Sequence, residues 1–245
     1  MLNIVIPLGS GKFDTDNENF LYPLPLIDIQ GKALIEYLLE NLNAIEEEKR
    51  FVFIVKESDC KQFHIDNVLK QLVKNSEIVR VKGQTKGAVC SVLFAIDEIE
   101  KDEELIIVNS DQVIETDYNN VLERLRTYDG GVIAFNSVHP RWSYIRTNGD
   151  TVVETAEKNP ISNKAIAGFY YFKKTEDFIN GAFNVIKFDD NYNGNYYSSS
   201  IFNQLVLKGK NIGFVEIPKE QYHSFYSPQK IKEFEEFLKL NYGKI

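Results

Sequence analysis

The chain has 245 residues, 43% hydrophobic and 26% charged, with 28 Lys and Arg against 36 Asp and Glu for a formal net charge of −8. That composition is ordinary for a folded protein and too apolar for a disordered one, and at about 150 residues per domain it allows one large domain or two small ones. The acidic balance argues against a nucleic-acid coat, whose usual footprint is a basic face. It allows an anionic ligand where a few cations or a metal ion reverse the local field.

Cys60 and Cys90 are too few for a disulfide scaffold or a four-ligand zinc site, and they read as free thiols of a cytoplasmic protein. The N-terminal run Met1–Pro7 has no basic region and is too short for a signal peptide. No stretch approaches the roughly 20 apolar residues of a membrane span, so no membrane insertion is expected.

In chain order, Leu2–Pro7 reads as a buried strand that empties into Leu8-Gly-Ser-Gly-Lys-Phe13 and a polar, acidic stretch, 14–19. Two prolines in Tyr22-Pro-Leu-Pro-Leu-Ile-Asp28 argue for extended chain. Leu34, Ile35, Leu38, Leu39 and Leu42 repeat at helical spacing within 32–43. Strands are expected at 51–56, 77–81 and 104–109, with helices at 65–73, 87–99 and 117–127 between and after them. The alternation predicts right-handed crossovers and a mainly parallel sheet, with ligands beyond the carboxyl ends of its strands.

The texture then changes. Strands are expected at 130–136, 143–147, 152–157 and 165–173, separated by turns such as Asn148-Gly149. Helices at about 176–187, 198–208 and 228–241 surround a strand at 211–217. With no linker, repeat or low-complexity tract, residues 1–245 read as one domain: a first half, 1–128, and a second half, 129–245, elaborating the same sheet.

Four segments carry candidate chemistry. Gly9-Ser10-Gly11-Lys12 follows the first strand, where glycines admit phosphate oxygens to backbone N–H groups and lysine adds charge; a plain tight turn is the other reading. The P-loop spacing is absent. Asp111, in Asn109-Ser110-Asp111-Gln112, stands where a carboxylate holds Mg²⁺ against a polyphosphate, or where an Asp caps a turn. Gly83-Gln84-Thr85-Lys86-Gly87-Ala88 opens a helix with small residues against which a flat base could lie, Gln84 offering both a donor and an acceptor; Thr85 also suits an N-cap. Glu157-Lys158 could meet sugar hydroxyls and a phosphate, or form a surface ion pair. Trp142-Ser-Tyr144 reads as an aromatic wall or as half-buried core. His64, His139 and His223 lie too far apart for a zinc hydrolase site, and no GxSxG elbow is present.

The order of these segments resembles the sugar-phosphate nucleotidyltransferase family, over nearly the whole chain. Tyr22-Pro-Leu-Pro-Leu-Ile-Asp-Ile-Gln-Gly-Lys-Ala-Leu-Ile-Glu36 is similar to its P-K-P-L-I-x-I-x-G-K-P-M-I-E segment. Thr85–Val89 resembles its base-binding T-x-G-A-A, and Asn109–Gln112 its metal-binding Asp segment. His139–Tyr144, Ala156–Ser162 and Ala167–Phe172 resemble a branch found in surface-polysaccharide gene clusters. The resemblance implies an α/β, Rossmann-like (GT-A-like) fold, a mixed and mainly parallel sheet flanked by helices, and a cytoplasmic Mg²⁺-dependent enzyme.

In such an enzyme a sugar 1-phosphate oxygen attacks the α-phosphorus of an NTP and pyrophosphate leaves, giving a nucleotide sugar. Leu8, Gly9, Ser10, Gly11 and Lys12 would face the triphosphate, Gln84, Thr85, Gly87 and Asn109 the rest of the nucleotide, and Asp111 the metal. Lys12 and Asp111 would be catalytic, while Glu157, Lys158 and Gly168 would receive the sugar phosphate. The partners implied are those two substrates; homo-oligomerisation is left open.

The chain departs from the pattern at several points. The first loop is one residue short and lacks the family Arg, Leu24 replaces the Lys of P-K-P, Asn195 replaces the Glu of E-F-Y, and Tyr226-Ser-Pro-Gln-Lys230 replaces G-T-P-E-D. Three readings follow: an active nucleotidyltransferase, a nucleotide- or sugar-phosphate-binding module without turnover, and a glycosyltransferase that consumes a nucleotide sugar.

Overall fold

The computed structural model describes residues 1–9 and 22–243. Its first half runs β1 (Leu2–Pro7), a small hairpin of β2 (Asp28–Ile29) and β3 (Lys32–Ala33), α1 (Leu34–Asn43), β4 (Lys49–Lys56), α2 (Glu57–Phe63), α3 (Ile65–Leu72), β5 (Glu77–Val81), α4 (Ala88–Leu93), β6 (Glu104–Val108), β7 (Gln112–Ile114) and α5 (Tyr118–Leu125). The second half runs β8 (Gly130–Asn136), β9 (Ser143–Asn148), β10 (Thr151–Glu157), β11 (Lys164–Phe172), α6 (Thr175–Lys187), α7 (Ser198–Leu207), β12 (Ile212–Ile217), β13 (Tyr222–Ser224) and α8 (Pro228–Tyr242).

Nine strands form one continuous sheet, in the order β5-β4-β1-β6-β11-β8-β12-β10-β9. The expected parallel crossovers build β5-β4-β1-β6, and β8 pairs in parallel with β12. β11 runs antiparallel to both β6 and β8, and β9 and β10 are antiparallel to each other. The sheet is therefore mixed, with its parallel half carrying the C-terminal strand ends where ligands collect.

Period-two geometry divides each strand between two buried faces. In β4, Phe51, Phe53 and Val55 join the core under α1, α3 and α5, whereas Val52 and Ile54 join the core under α4, α6 and α7. Burial on both faces explains why these strands read as unbroken apolar runs. A third apolar cluster holds Leu24, Ile27, Ile29, Leu34 and Tyr37 against Phe225 and, from α8, Ile231, Phe234 and Leu238.

Four local differences from the sequence expectation have physical causes. The Pro23–Asp28 stretch contains one turn of 3-10 helix at Leu24–Leu26, because Pro25 falls in its first turn, where no N–H is required. The helix expected over 87–99 ends at Leu93 and resumes as a 3-10 turn at Ile96–Glu98. α2 is short and mostly polar around one buried residue, Cys60, so its periodicity is faint; His64 in the left-handed region separates it from α3. β7 and β13 are three-residue strands paired across the chain, below the length at which alternation is readable.

Candidate functional site

The C-terminal ends of β1, β4, β5 and β6 open into one cavity of about 630 Å³. Pro7 and Gly9 come from the end of β1, Lys56 from β4, Val81, Gly83, Gln84 and Thr85 from β5 and its loop, and Asn109 and Asp111 from the segment after β6. The second half closes it with Tyr170, Asn195, Tyr197 and Ser198.

The segment after β6 is pinned on three sides. Ser110 Oγ donates to the Pro7 carbonyl at 3.0 Å, and Gln112 Nε2 donates to the carbonyls of Ala167 and Gly168 at 2.7 and 3.0 Å. The Phe225 N–H donates to the Asp111 carbonyl at 2.8 Å. Ser110 and Gln112 are buried by these bonds. Asn109 and Asp111 alternate with them and are left facing the cavity. Burial pushes the Asp111 carboxyl pKa up, since no cation pairs with it among the described residues. A partly buried, unpaired carboxylate is an incomplete electrostatic unit.

Whether Mg²⁺ suits this position is decided by its coordination habits. No group of three or more His, Cys, Asp and Glu comes together among the described residues. An all-protein cage is therefore absent from them, but Mg²⁺ keeps several waters and needs only one or two carboxylates plus substrate phosphates. Asp111 fits that donor set as the one carboxylate among the described residues lining the cavity.

Gly168 has φ +58°, and a Cβ there would meet Gln112 Oε1 and lie 2.7 Å from Asn109 Nδ2. Its missing side chain makes room for the two flanking side chains of the Asp111 segment. The backbone bulge in β11 at this point lets the Asn109 N–H bond to the Gly168 carbonyl at 2.9 Å.

The loop after β5 is held by its own hydroxyls. Thr85 Oγ1 and Ser91 Oγ are 2.6 Å apart, and Ser91 Oγ donates to the Gly87 carbonyl at 3.2 Å. The N-cap of α4 is Gly87 (φ +92°), so Thr85 does not cap the helix. A Cβ on Gly87 would clash with the Tyr196 backbone. The Tyr196 N–H donates to the Lys86 carbonyl at 2.9 Å, and the Val89 N–H to the Tyr196 carbonyl at 3.2 Å. This strap joins the loop to the entry of α7.

Glu157 and Lys158 lie one layer out and do not line the cavity. Glu157 accepts hydrogen bonds from Ser143 Oγ and, at 3.0 Å, Ser199 Oγ; burial pushes its pKa up. Lys158, left-handed at φ +50°, donates to Tyr197 Oη at 3.3 Å and lies over the Tyr192 and Tyr197 rings. The surface ion-pair reading fails, because each residue has a different partner. Both reach the cavity wall through α7 and Tyr197.

Other expectations are placed as follows. Gly9, Gln84, Thr85, Gly87, Asn109 and Asp111 line the cavity. Leu8 does not: its side chain is in the core and its N–H is spent on the Ile54 carbonyl at 2.8 Å. Ser10, Gly11 and Lys12 lie outside the described residues. Trp142 packs edge-on against Phe135 and Tyr222, and the Arg141 guanidinium stacks 3.4 Å from the Tyr226 ring centroid. Leu24 is only 4% exposed in the α8-covered cluster and does not reach the cavity. Sequence reasoning missed Lys56 and Ser198, and it named Tyr170 only within the Ala167–Phe172 segment. Lys56 was within reach of the rule that ligands gather at strand C-termini; the other two are brought in by long-range pairing.

No curated relative matches the chain. The fold is similar to that of a nucleoside-diphosphate-sugar pyrophosphorylase from Vibrio cholerae RC9, with TM-score 0.80 and 22% identity over 96% of this chain and 100% of that one. It is also similar to the inositol-1-phosphate CTP transferase from T. maritima, with TM-score 0.73 and 12% identity over 98% and 96% of the two chains. The family model described as nucleotidyl transferase matches residues 21–220. That span holds the pinned Asp111 segment, the strapped loop after β5 and the entry to α7, and the chain belongs to the nucleotidyl transferase family.

Proposed function

We propose that the chain joins an NTP to a sugar 1-phosphate, or a related phosphorylated small molecule, giving a nucleotide sugar and pyrophosphate. An oxygen of the acceptor's phosphate attacks the α-phosphorus, and the bond from that phosphorus to the oxygen bridging to the β-phosphorus breaks. Pyrophosphate carries that electron pair away. Such chemistry is mostly positioning and charge neutralisation.

The carrying observation is Asp111, a carboxylate without a cation partner among the described residues, lining a cavity shared by the two halves. Mg²⁺, when bound, supplies charge neutralisation on the phosphates, and Asp111 would hold it. Gln84 and the Thr85–Gly87 backbone would face the base. Gly9 would face the triphosphate with Ser10, Gly11 and Lys12, and Asn109 would lie along the nucleotide. Glu157 and Lys158 would border the acceptor's sugar phosphate through α7 and Tyr197, with Gly168 keeping the Asp111 segment in register. The resemblance of His139–Tyr144 and Ala156–Ser162 to a polysaccharide-associated branch supports surface-polysaccharide synthesis in the cytoplasm as the setting.

Asp111→Asn tests the assignment. Turnover should fall by about 10²-fold or more, the scale for losing one electrostatic contact to a transition state. The melting temperature should not fall, because the variant removes a desolvated charge. Turnover near wild type, measured as pyrophosphate release, would exclude Asp111 as the metal-holding residue.

Burial of Leu24 favours a second reading, binding without turnover, since an apolar side chain in a core neutralises no phosphate. Thermal stabilisation by an NTP with Mg²⁺, without pyrophosphate release from any NTP and sugar 1-phosphate pair, is its signature; about 2.7 kcal/mol is expected at 100 Kd.

A further inference from the structure

We infer that Lys56 is a phosphate-contacting residue of the cavity, supplying a cation on the triphosphate side. The identity of its ligand rests on the nucleotidyl-transfer reading; the anion site itself does not. Lys56 ends β4, which lies between β1 and β5 in the sheet, so its backbone is fixed at the mouth formed by three parallel strand ends. Among the described residues lining the cavity it is the one Lys or Arg, as Asp111 is the one carboxylate.

Two observations place its stem and its neighbouring carboxylate. An added Cβ at Gly9 would lie 3.8 Å from Lys56 Cε, so the stem runs alongside the backbone that follows β1. The carboxylate nearest in sequence, Glu57, is committed to Lys61 at 2.7 Å. Lys56 itself forms no ion pair among the described residues. Its ammonium is therefore a strongly hydrated point charge with three donors at the edge of a cavity that already holds one uncompensated carboxylate.

A bound polyphosphate, bridged to Asp111 through a cation, would complete both groups. Lys56 thereby offers charge that the buried Leu24 does not.

The test uses the full chain, with inorganic tripolyphosphate, the common NTPs and the corresponding nucleosides as probes, all in the presence of Mg²⁺. Lys56→Met should weaken tripolyphosphate and NTP binding about 10- to 100-fold, the scale of one hydrogen bond to a charged group. Nucleoside binding should not change, and the salt dependence of NTP binding should become shallower. Lys56→Arg should retain most of the affinity. If Lys56→Met folds poorly, Lys56→Gln carries the same comparison.

Unchanged tripolyphosphate affinity in the neutral variants, or an equal loss for nucleosides, would overturn the inference. So would a wild-type chain that binds neither tripolyphosphate nor any NTP. Loss of tripolyphosphate binding in Lys56→Met, with no pyrophosphate release from any NTP and sugar 1-phosphate pair, would uphold the site while removing the nucleotidyl-transfer reading. Turnover that Lys56→Met leaves intact would do the reverse.

Discussion

Leu24 and Asp111 show how differently single residues can be read. The place of Asp111 in the cavity wall is legible in sequence because it lies just past an apolar strand, and a strand's C-terminal end is a ligand position in a parallel sheet. Leu24 is legible only as a departure from a pattern. Its burial depends on Phe225 and α8, some 200 residues further along the chain, which no local signal announces. Its placement changes what a substitution there should do. Leu24→Lys would put an ammonium among Ile27, Tyr37 and Phe234, so we predict a loss of about 3 kcal/mol or more rather than a gain in turnover. At roughly 2–4 °C per kcal/mol, thermal melting should show a fall of about 6–12 °C. A variant with unaltered melting temperature and faster pyrophosphate release would show that position 24 reaches the phosphates.

Among elements, the long strands were readable because both faces of each are buried, leaving near-continuous apolar runs. The β7–β13 pair was not, since three residues paired with three others more than a hundred positions away leave no periodicity to detect. That pair carries an acid-sensitive contact. The His223 ring on β13 lies 4.8 and 4.5 Å from the Phe234 and Phe237 rings of α8, and burial lowers its pKa from 6.5 to about 4. Glu115 Oε2 is 3.9 Å from Nε2, yet desolvation outweighs that attraction. Between pH 6.5 and about 4 the unfolded chain binds a proton that the folded chain refuses, so stability falls as pH drops through this window, by on the order of 3 kcal/mol in all. His223→Phe should abolish that part of the loss, which melting temperatures measured from pH 7 to pH 4 will show. An unchanged pH profile in the variant would mean that the ring is solvated.

Across the whole molecule, strand–helix alternation was enough to specify the parallel half and the edge at which ligands collect. The antiparallel half was legible as strands but not as an order, because β11 inserts between β6 and β8 through contacts that only tertiary packing selects. The strap between Lys86, Val89 and Tyr196 was equally invisible, being made of backbone groups. It ties the loop after β5 to the entry of α7, so the cavity belongs to both halves. The −8 net charge makes local compensation necessary for a polyanion, and Lys56 with a cation at Asp111 would provide it. The most direct test incubates the purified chain with Mg²⁺ and each pairing of the common NTPs with sugar 1-phosphates, and identifies products by mass. A nucleotide sugar formed in equal amount with pyrophosphate, by the wild type and not by Asp111→Asn, is the predicted result; a folded, NTP-binding chain that makes neither product from any pair would contradict it.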